Sequence, residues 1–335
     1  MMNMRCLTLP TVWFADLKSR IDWARVGKWF SVVLLLAAGY MIVTRARDVD
    51  WQAVWSVIQS YSWLELLAAG MLTACGFAVY STFDLFGRHY TGHDLQRPRV
   101  MLITAISYAF NLTLGSIVGA AGIRLRLYQQ LGVKGADVAR IIAISVGINW
   151  LGYALVAGVL FAANLVSLPD AWHVNPATLP TIGWALLSIV AAYIGTTAFK
   201  GDTQFSLRGK DLCVPRLAAA LVQLALGCAN WLIMGGVLYC LMRTEASYPL
   251  TLSVVMVASV AGIISRIPGG IGILEATSIA ILAPQLGETK VLAGILAYRA
   301  VYYLSPLALA TLGLLALEAA NRKRHGKKGY GKKRA

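Results

Sequence analysis

The residues in this chain best suited to chemistry surround one break, Ser265-Arg266-Ile267-Pro268-Gly269-Gly270-Ile271-Gly272-Ile273-Leu274-Glu275. Pro268 lacks an N–H donor, and Gly269, Gly270 and Gly272 permit backbone angles that other residues avoid. A helix restarting after Gly272 presents unpaired N–H groups and the positive end of its dipole, a place for a phosphate or a carboxylate. Glu275 falls in that first turn. There it stabilises the helix, competes with any anionic ligand and needs a cation. Arg266 before the break and Arg299 in the last apolar segment are the candidates. Two readings stand side by side: a gated ion-pair network lining a cavity, or a buried salt bridge that fixes the turn. Tyr302, with Tyr298 and Tyr303, surrounds Arg299 in sequence and either lines the same cavity or sits at a membrane interface.

A fainter copy occurs earlier, Gly119-Ala120-Ala121-Gly122-Ile123-Arg124-Leu125-Arg126. The planar fork of arginine suits a phosphate. Two residues apart on a helix, Arg124 and Arg126 diverge by about 200°, so they cannot grip one phosphate together. One is expected to face a cavity and the other the headgroups, unless both are simply cytoplasmic charge. The candidate substrate-binding set is therefore Gly122, Arg124, Arg126, Arg266, Gly269, Gly270, Gly272, Glu275, Arg299 and Tyr302.

No catalytic residue is expected. The chain has no Gly-rich phosphate loop with its lysine, no zinc-protease helix and no assembled Ser/His/Asp set. Glu275 and Asp84 are few carboxylates for an enzyme acting on a lipid-linked substrate. The five cysteines lack metal or disulfide spacing. His89-x-x-x-His93 reads as loop because Gly92 lies between the two imidazoles. Neither cofactor nor metal is expected.

The elements that must position these groups are membrane helices. Of 335 residues, 58% are hydrophobic and only 13% charged, against roughly 25% charged in a soluble domain. The net charge of +15 is concentrated at the ends and in a few loops, which is the signature of cytoplasmic segments rather than of nucleic-acid binding. The expected organisation is a basic, Trp-rich N-terminal segment (1–28), a first membrane repeat (26–162), a second (181–318) and a basic tail (319–335). Spans are expected at about 26–43, 64–86, 137–162, 181–199, 217–242 and 288–318. The stretches leading into and out of each Gly break form two re-entrant hairpins.

Both halves share one order: two spans, an apolar helix, a Gly-x-x-Gly-Ile break, a short helix, Leu-Gly and a long span. Three crossings per half invert the second half relative to the first. With both ends in the cytoplasm, the inside segments carry 23 Lys and Arg and the outside segments 3, a strong asymmetry. The alternative of eight crossings places Arg124, Arg126 and Lys134 outside. Paired Gly breaks of this kind point to a transporter's binding site.

At several of these motifs the chain resembles the YbhN-type bacterial inner-membrane proteins. The resemblance is carried by Ser107 to Leu114, Gly119 to Tyr128 with Leu131-Gly132, and Asn149 to Tyr153. Asn230-Trp231, Gly269 to Ala276 and Leu296 to Tyr303 carry it further. That group is similar to the transmembrane flippase region of lysylphosphatidylglycerol synthases. The resemblance implies a polytopic protein of the bacterial inner membrane, all-α by its apolar runs, that translocates a phospholipid; the arginines and helix N-termini favour an anionic one through its phosphate. It also implies no aminoacyl transfer, because a basic tail stands where those synthases carry a soluble domain. The expected partner is a membrane phospholipid. A scaffold for a phospholipid-synthesising enzyme is the alternative.

Overall fold

A computed structural model describes residues 51–166, 175–201, 203–207, 210–243, 245–265 and 267–315. The expected N-terminal segment, the span at 26–43, the basic tail and Arg266 lie outside the described residues.

Among the described residues, every regular element is a helix apart from one hairpin. Trp51–Gln59 forms α1. Trp63–Ser81 (α2) starts at a capping box in which Ser62 accepts from the Glu65 N–H and Glu65 accepts from the Ser62 N–H. Phe83–Thr91 (α3) continues it through helical Thr82 and stops at left-handed Gly92. Arg97–Leu114 is α4, with proline in its first turn. A π-helical segment, Ser116–Ile123, runs into α5, Arg124–Gln130. Then come α6 (Gly135–Ala162), α7 (Thr178–Lys200), α8 (Leu217–Leu241), α9 (Tyr248–Ser265), α10 (Ile273–Leu286) and α11 (Glu288–Tyr298). The last helix widens into a π-helical stretch, Arg299–Leu304, and continues as an α-helix to Leu315.

Six helices among the described residues are long and apolar enough to cross a membrane: Trp63–Thr91, Gly135–Ala162, Thr178–Phe199, Leu217–Leu241, Tyr248–Ser265 and Glu288–Leu315. The protein is thus all-α and polytopic. Five of the six coincide with expected spans. Tyr248–Ser265 was expected as one arm of a re-entrant hairpin. At 1.5 Å per residue its 18 residues extend about 27 Å, within reach of a hydrocarbon core of about 30 Å.

Two expectations are corrected. The loop 200–216 contains an antiparallel hairpin, β1 (Gln204–Leu207) with β2 (Lys210–Cys213), in which Gln204 faces Cys213. The first chain reversal falls at Gly115 (φ 82°), not at Gly119 to Gly122. Those residues lie inside the π-helical segment instead. Gly119 is needed for a different reason: a Cβ there would lie 2.3 Å from the backbone of Phe110 and Asn111 on α4. The hairpin closes that tightly only without a side chain.

The core is shared by both halves. α6, α8, α9, α10 and α11 bury Tyr153, Trp231, Val255, Leu282 and Ile295 in one cluster. Where α6 crosses α8, a Cβ on Gly152 would sit 2.1 Å from the carbonyl carbon of Gly227. Small residues let backbones touch in membranes, where packing rather than water exclusion joins helices. Outward, Trp184, Ile189, Phe199, Leu309 and Leu312 stay exposed, a surface suited to lipid.

Candidate functional site

The second break is built as its residues demand. Ile267 is extended, Pro268–Gly270 makes one 3₁₀ turn, and Gly269, Gly270 and Gly272 take φ of 65°, 56° and 83°. L-residues avoid that region. α10 then begins with Gly272 as N-cap. Glu275 reaches back to accept the Gly272 N–H at 2.8 Å, the acidic arm of a capping box whose other arm glycine cannot supply.

Arg299 arrives from the last helix. Its Nε donates to Glu275 Oε1, and its Nη2 donates to Glu275 Oε2 at 3.0 Å, a forked pair. Nη2 also donates to the Gly270 carbonyl at 3.1 Å and Nη1 to the Gly269 carbonyl at 3.3 Å. The guanidinium lies 5.3 Å from the Tyr303 ring centroid. Arg299 therefore ties the break, the first turn of α10 and the last helix together. It sits at the start of the π-helical stretch, a feature frequent at functional sites. Both charges remain partly open, at 16% and 23% exposure.

The first half holds a second ion pair of reversed polarity. Here the arginine, Arg124, is on the helix after the break. Its Nη1 lies 3.4 Å from Asp84 Oδ1, and exposure is 1% and 0%. Asp84 also accepts from Tyr128 at 2.9 Å and from Ser145. Arg124 Nε and Nη2 find no acceptor at hydrogen-bonding geometry among the described residues.

Tyrosines connect the two pairs. Arg124 lies 6.0 Å from the Tyr80 ring, which stacks on Tyr108 at 3.7 Å. The Tyr108 and Tyr302 hydroxyls are 3.1 Å apart. Tyr302 stacks on Tyr298 at 5.3 Å and meets Tyr303 edge-on at 5.9 Å. Buried Tyr302 is thus the link between the halves, with Tyr303 and Arg299 beyond it. The breaks also touch directly, since a Cβ on Gly269 would lie 2.8 Å from the Thr113 carbonyl oxygen.

The remaining expected site residues are spread out. Arg126 and Gly122 are exposed, on the opposite side from Arg124, as a 200° divergence requires. Glu275 takes Arg299; the alternative cation, Arg266, is outside the described residues. Side-chain amides at membrane depth bond between helices: Asn230 of α8 donates to Asn149 of α6 at 3.1 Å, and Gln223 of α8 accepts from Tyr193 of α7 at 2.8 Å. His89 ends a helix and His93 follows the left-handed Gly92, so they share no helical face. No group of three metal-ligating side chains occurs among the described residues.

Sequence reasoning missed the Asp84–Arg124 pair and the Tyr80–Tyr108 stack. One signal was available: a carboxylate inside an apolar helix must have a partner.

Comparison with known proteins agrees with this architecture. Residues 29–310 match the family described as the lysylphosphatidylglycerol synthase TM region. The chain is 40% identical over 311 residues to the inner membrane protein YbhN of Escherichia coli, covering 92% of this chain and 98% of that one. It is 29% identical over 295 residues to an uncharacterized protein of Synechocystis, covering 87% and 91%. A phosphatidylglycerol lysyltransferase of Bacillus subtilis is 22% identical over 294 residues, 84% of this chain but 33% of that longer protein.

Proposed function

The chain belongs to the family of the lysylphosphatidylglycerol synthase TM region, and from that premise we propose that it is an inner-membrane transporter moving an anionic phospholipid between leaflets. The observation that carries this reading is the partly open Arg299–Glu275 pair at a non-helical break. A phospholipid crosses a bilayer slowly because its headgroup must leave water, and an unpaired charge in hydrocarbon is costly. Arg299 and the free N–H groups at the start of α10 replace part of that hydration for a phosphate.

The repeated order of helix, glycine break and short helix supports two inverted halves. With Tyr248–Ser265 as an arm of a re-entrant hairpin, both termini are cytoplasmic. The sealed Asp84–Arg124 pair anchors the first half, while Arg299, Glu275, Gly269, Gly270, Gly272 and Tyr302 form the moving side. The shared region with the lysyltransferase is about a third of that protein, so the aminoacyl-transfer step is not part of this reading.

The test is reconstitution. Liposomes carrying the protein should move labelled phosphatidylglycerol between leaflets faster than empty ones, with and without an ion gradient, and Arg299→Ala should abolish the difference. Flipping equal to empty liposomes under every gradient, with tight co-purification of a lipid-synthesis enzyme, would favour a scaffold instead.

A further inference from the structure

We infer that an anionic phosphodiester and the Glu275 carboxylate occupy Arg299 in turn, and that the exchange takes up one proton. This rests on the headgroup-binding reading above and adds a coupling ion to it.

The argument begins with a count of donors. A guanidinium has five N–H groups. Four hydrogen bonds of Arg299 are already committed: two to Glu275 and one each to the carbonyls of Gly269 and Gly270. The fork that would suit a phosphate is the one holding Glu275. A phosphodiester reaches it only if the carboxylate leaves.

Among the described residues, the displaced carboxylate then has no other cation. The titratable groups facing it are Arg299 itself and, through Arg299, Tyr298 and Tyr303. α9, packed alongside, holds Tyr248 at its far end and no charged residue. An ionised carboxylate stranded in such surroundings takes up a proton rather than remain charged. The phosphodiester is much the stronger acid, and arginine does not deprotonate in proteins, so the proton goes to Glu275. The balance is complete: the carboxylate and a proton from water become a neutral acid, and the phosphodiester replaces the carboxylate on an unchanged guanidinium. The net charge of the site stays the same.

The two pairs differ in a way that assigns the exchange to one of them. Asp84 and Arg124 are sealed, and Asp84 has hydroxyl partners in Tyr128 and Ser145. Glu275 and Arg299 are partly open, and Glu275 keeps one neutral partner, the Gly272 N–H.

The experiment uses the full chain in nanodiscs of neutral lipid, titrated with phosphatidylglycerol and separately with water-soluble glycerophosphoglycerol. Calorimetry in two buffers of different ionisation enthalpy counts the protons. We expect one proton taken up per phosphatidylglycerol bound. Affinity should weaken as pH rises, by up to about tenfold per pH unit for one proton taken up. Glu275→Gln keeps an acceptor for Gly272 but carries no charge, so its proton count should be zero and its affinity flat with pH. Should that variant not fold, the proton count of the parent decides alone. Binding by the parent without proton uptake overturns the exchange and leaves the headgroup reading intact. Uptake with glycerophosphoglycerol alone keeps the exchange and overturns the lipid reading. Binding of neither probe overturns both.

Discussion

Arg124 and Asp84 face each other 3.4 Å apart with neither side chain reaching solvent, whereas the matching pair in the second half is open on one side. Arg124 comes from the helix after the first break and Asp84 from the helix entering the half. In the second half the carboxylate is on the post-break helix and the arginine on the last one. One pair is built to stay and the other to be reached.

Asp84→Asn should be the most damaging single change. It leaves the Arg124 charge buried with hydroxyls and rings around it. Stranding one partner of a buried pair costs about 3–5 kcal/mol. Thermal unfolding in detergent should show a large drop, and the double variant Asp84→Asn, Arg124→Met should recover much of it. Equal stability of Asp84→Asn and the parent would remove the pair from the list of what holds the first half together.

Arg299→Lys tests geometry against charge. Lysine keeps the positive charge and loses the fork and the planar reach to the Gly269 and Gly270 carbonyls. Because the pair is partly exposed, the loss of stability should be modest, about 1 kcal/mol. Lipid movement in liposomes should fall well below the parent. Full activity in Arg299→Lys would mean that a point charge suffices.

Tyr302→Phe should uncouple the halves without unfolding them. It removes the hydroxyl contact with Tyr108 at 3.1 Å and preserves both ring stacks. A net cost of about 1 kcal/mol is expected. Chemical denaturation read by tryptophan fluorescence would measure it, and a cost within error would show that the hydroxyl contact does not help to hold the halves together.

Gly227→Ala should impair folding more than any surface change. Its Cβ would lie 2.4 Å from the Ile148 carbonyl oxygen, where only backbone movement gives room. Overpacking costs about 1–3 kcal/mol, or more where backbone must shift. Monodispersity on size exclusion after mild heating is the readout.

Orientation can be read at the two ends of α7. In a cysteine-free background, Asn175→Cys should label with an impermeant thiol reagent from outside and Thr203→Cys only from the cytoplasm. Both sites are exposed. The reverse pattern would invert the protein.

The sequence by itself determined the solvent and the class. Composition places the chain in a bilayer, where the backbone must bond within each segment, so long apolar runs can only be helices. It also located the second break, because Pro268 and three glycines leave few other conformations, and it named Glu275 and its two possible cations. The tertiary structure decided what local sequence cannot hold. Arg299 is a partner of Glu275 because the last helix brings it over that carboxylate and the carbonyls of Gly269 and Gly270. The first reversal sits at Gly115 because its positive φ, unlike Gly119 or Gly122, turns the chain. Asp84 meets Arg124, and Tyr108 meets Tyr302, only once helices distant in the chain have packed. A charge inside an apolar run announces that a partner exists. Which partner it takes is settled by the crossing of helices, and that is a property of the packed protein alone.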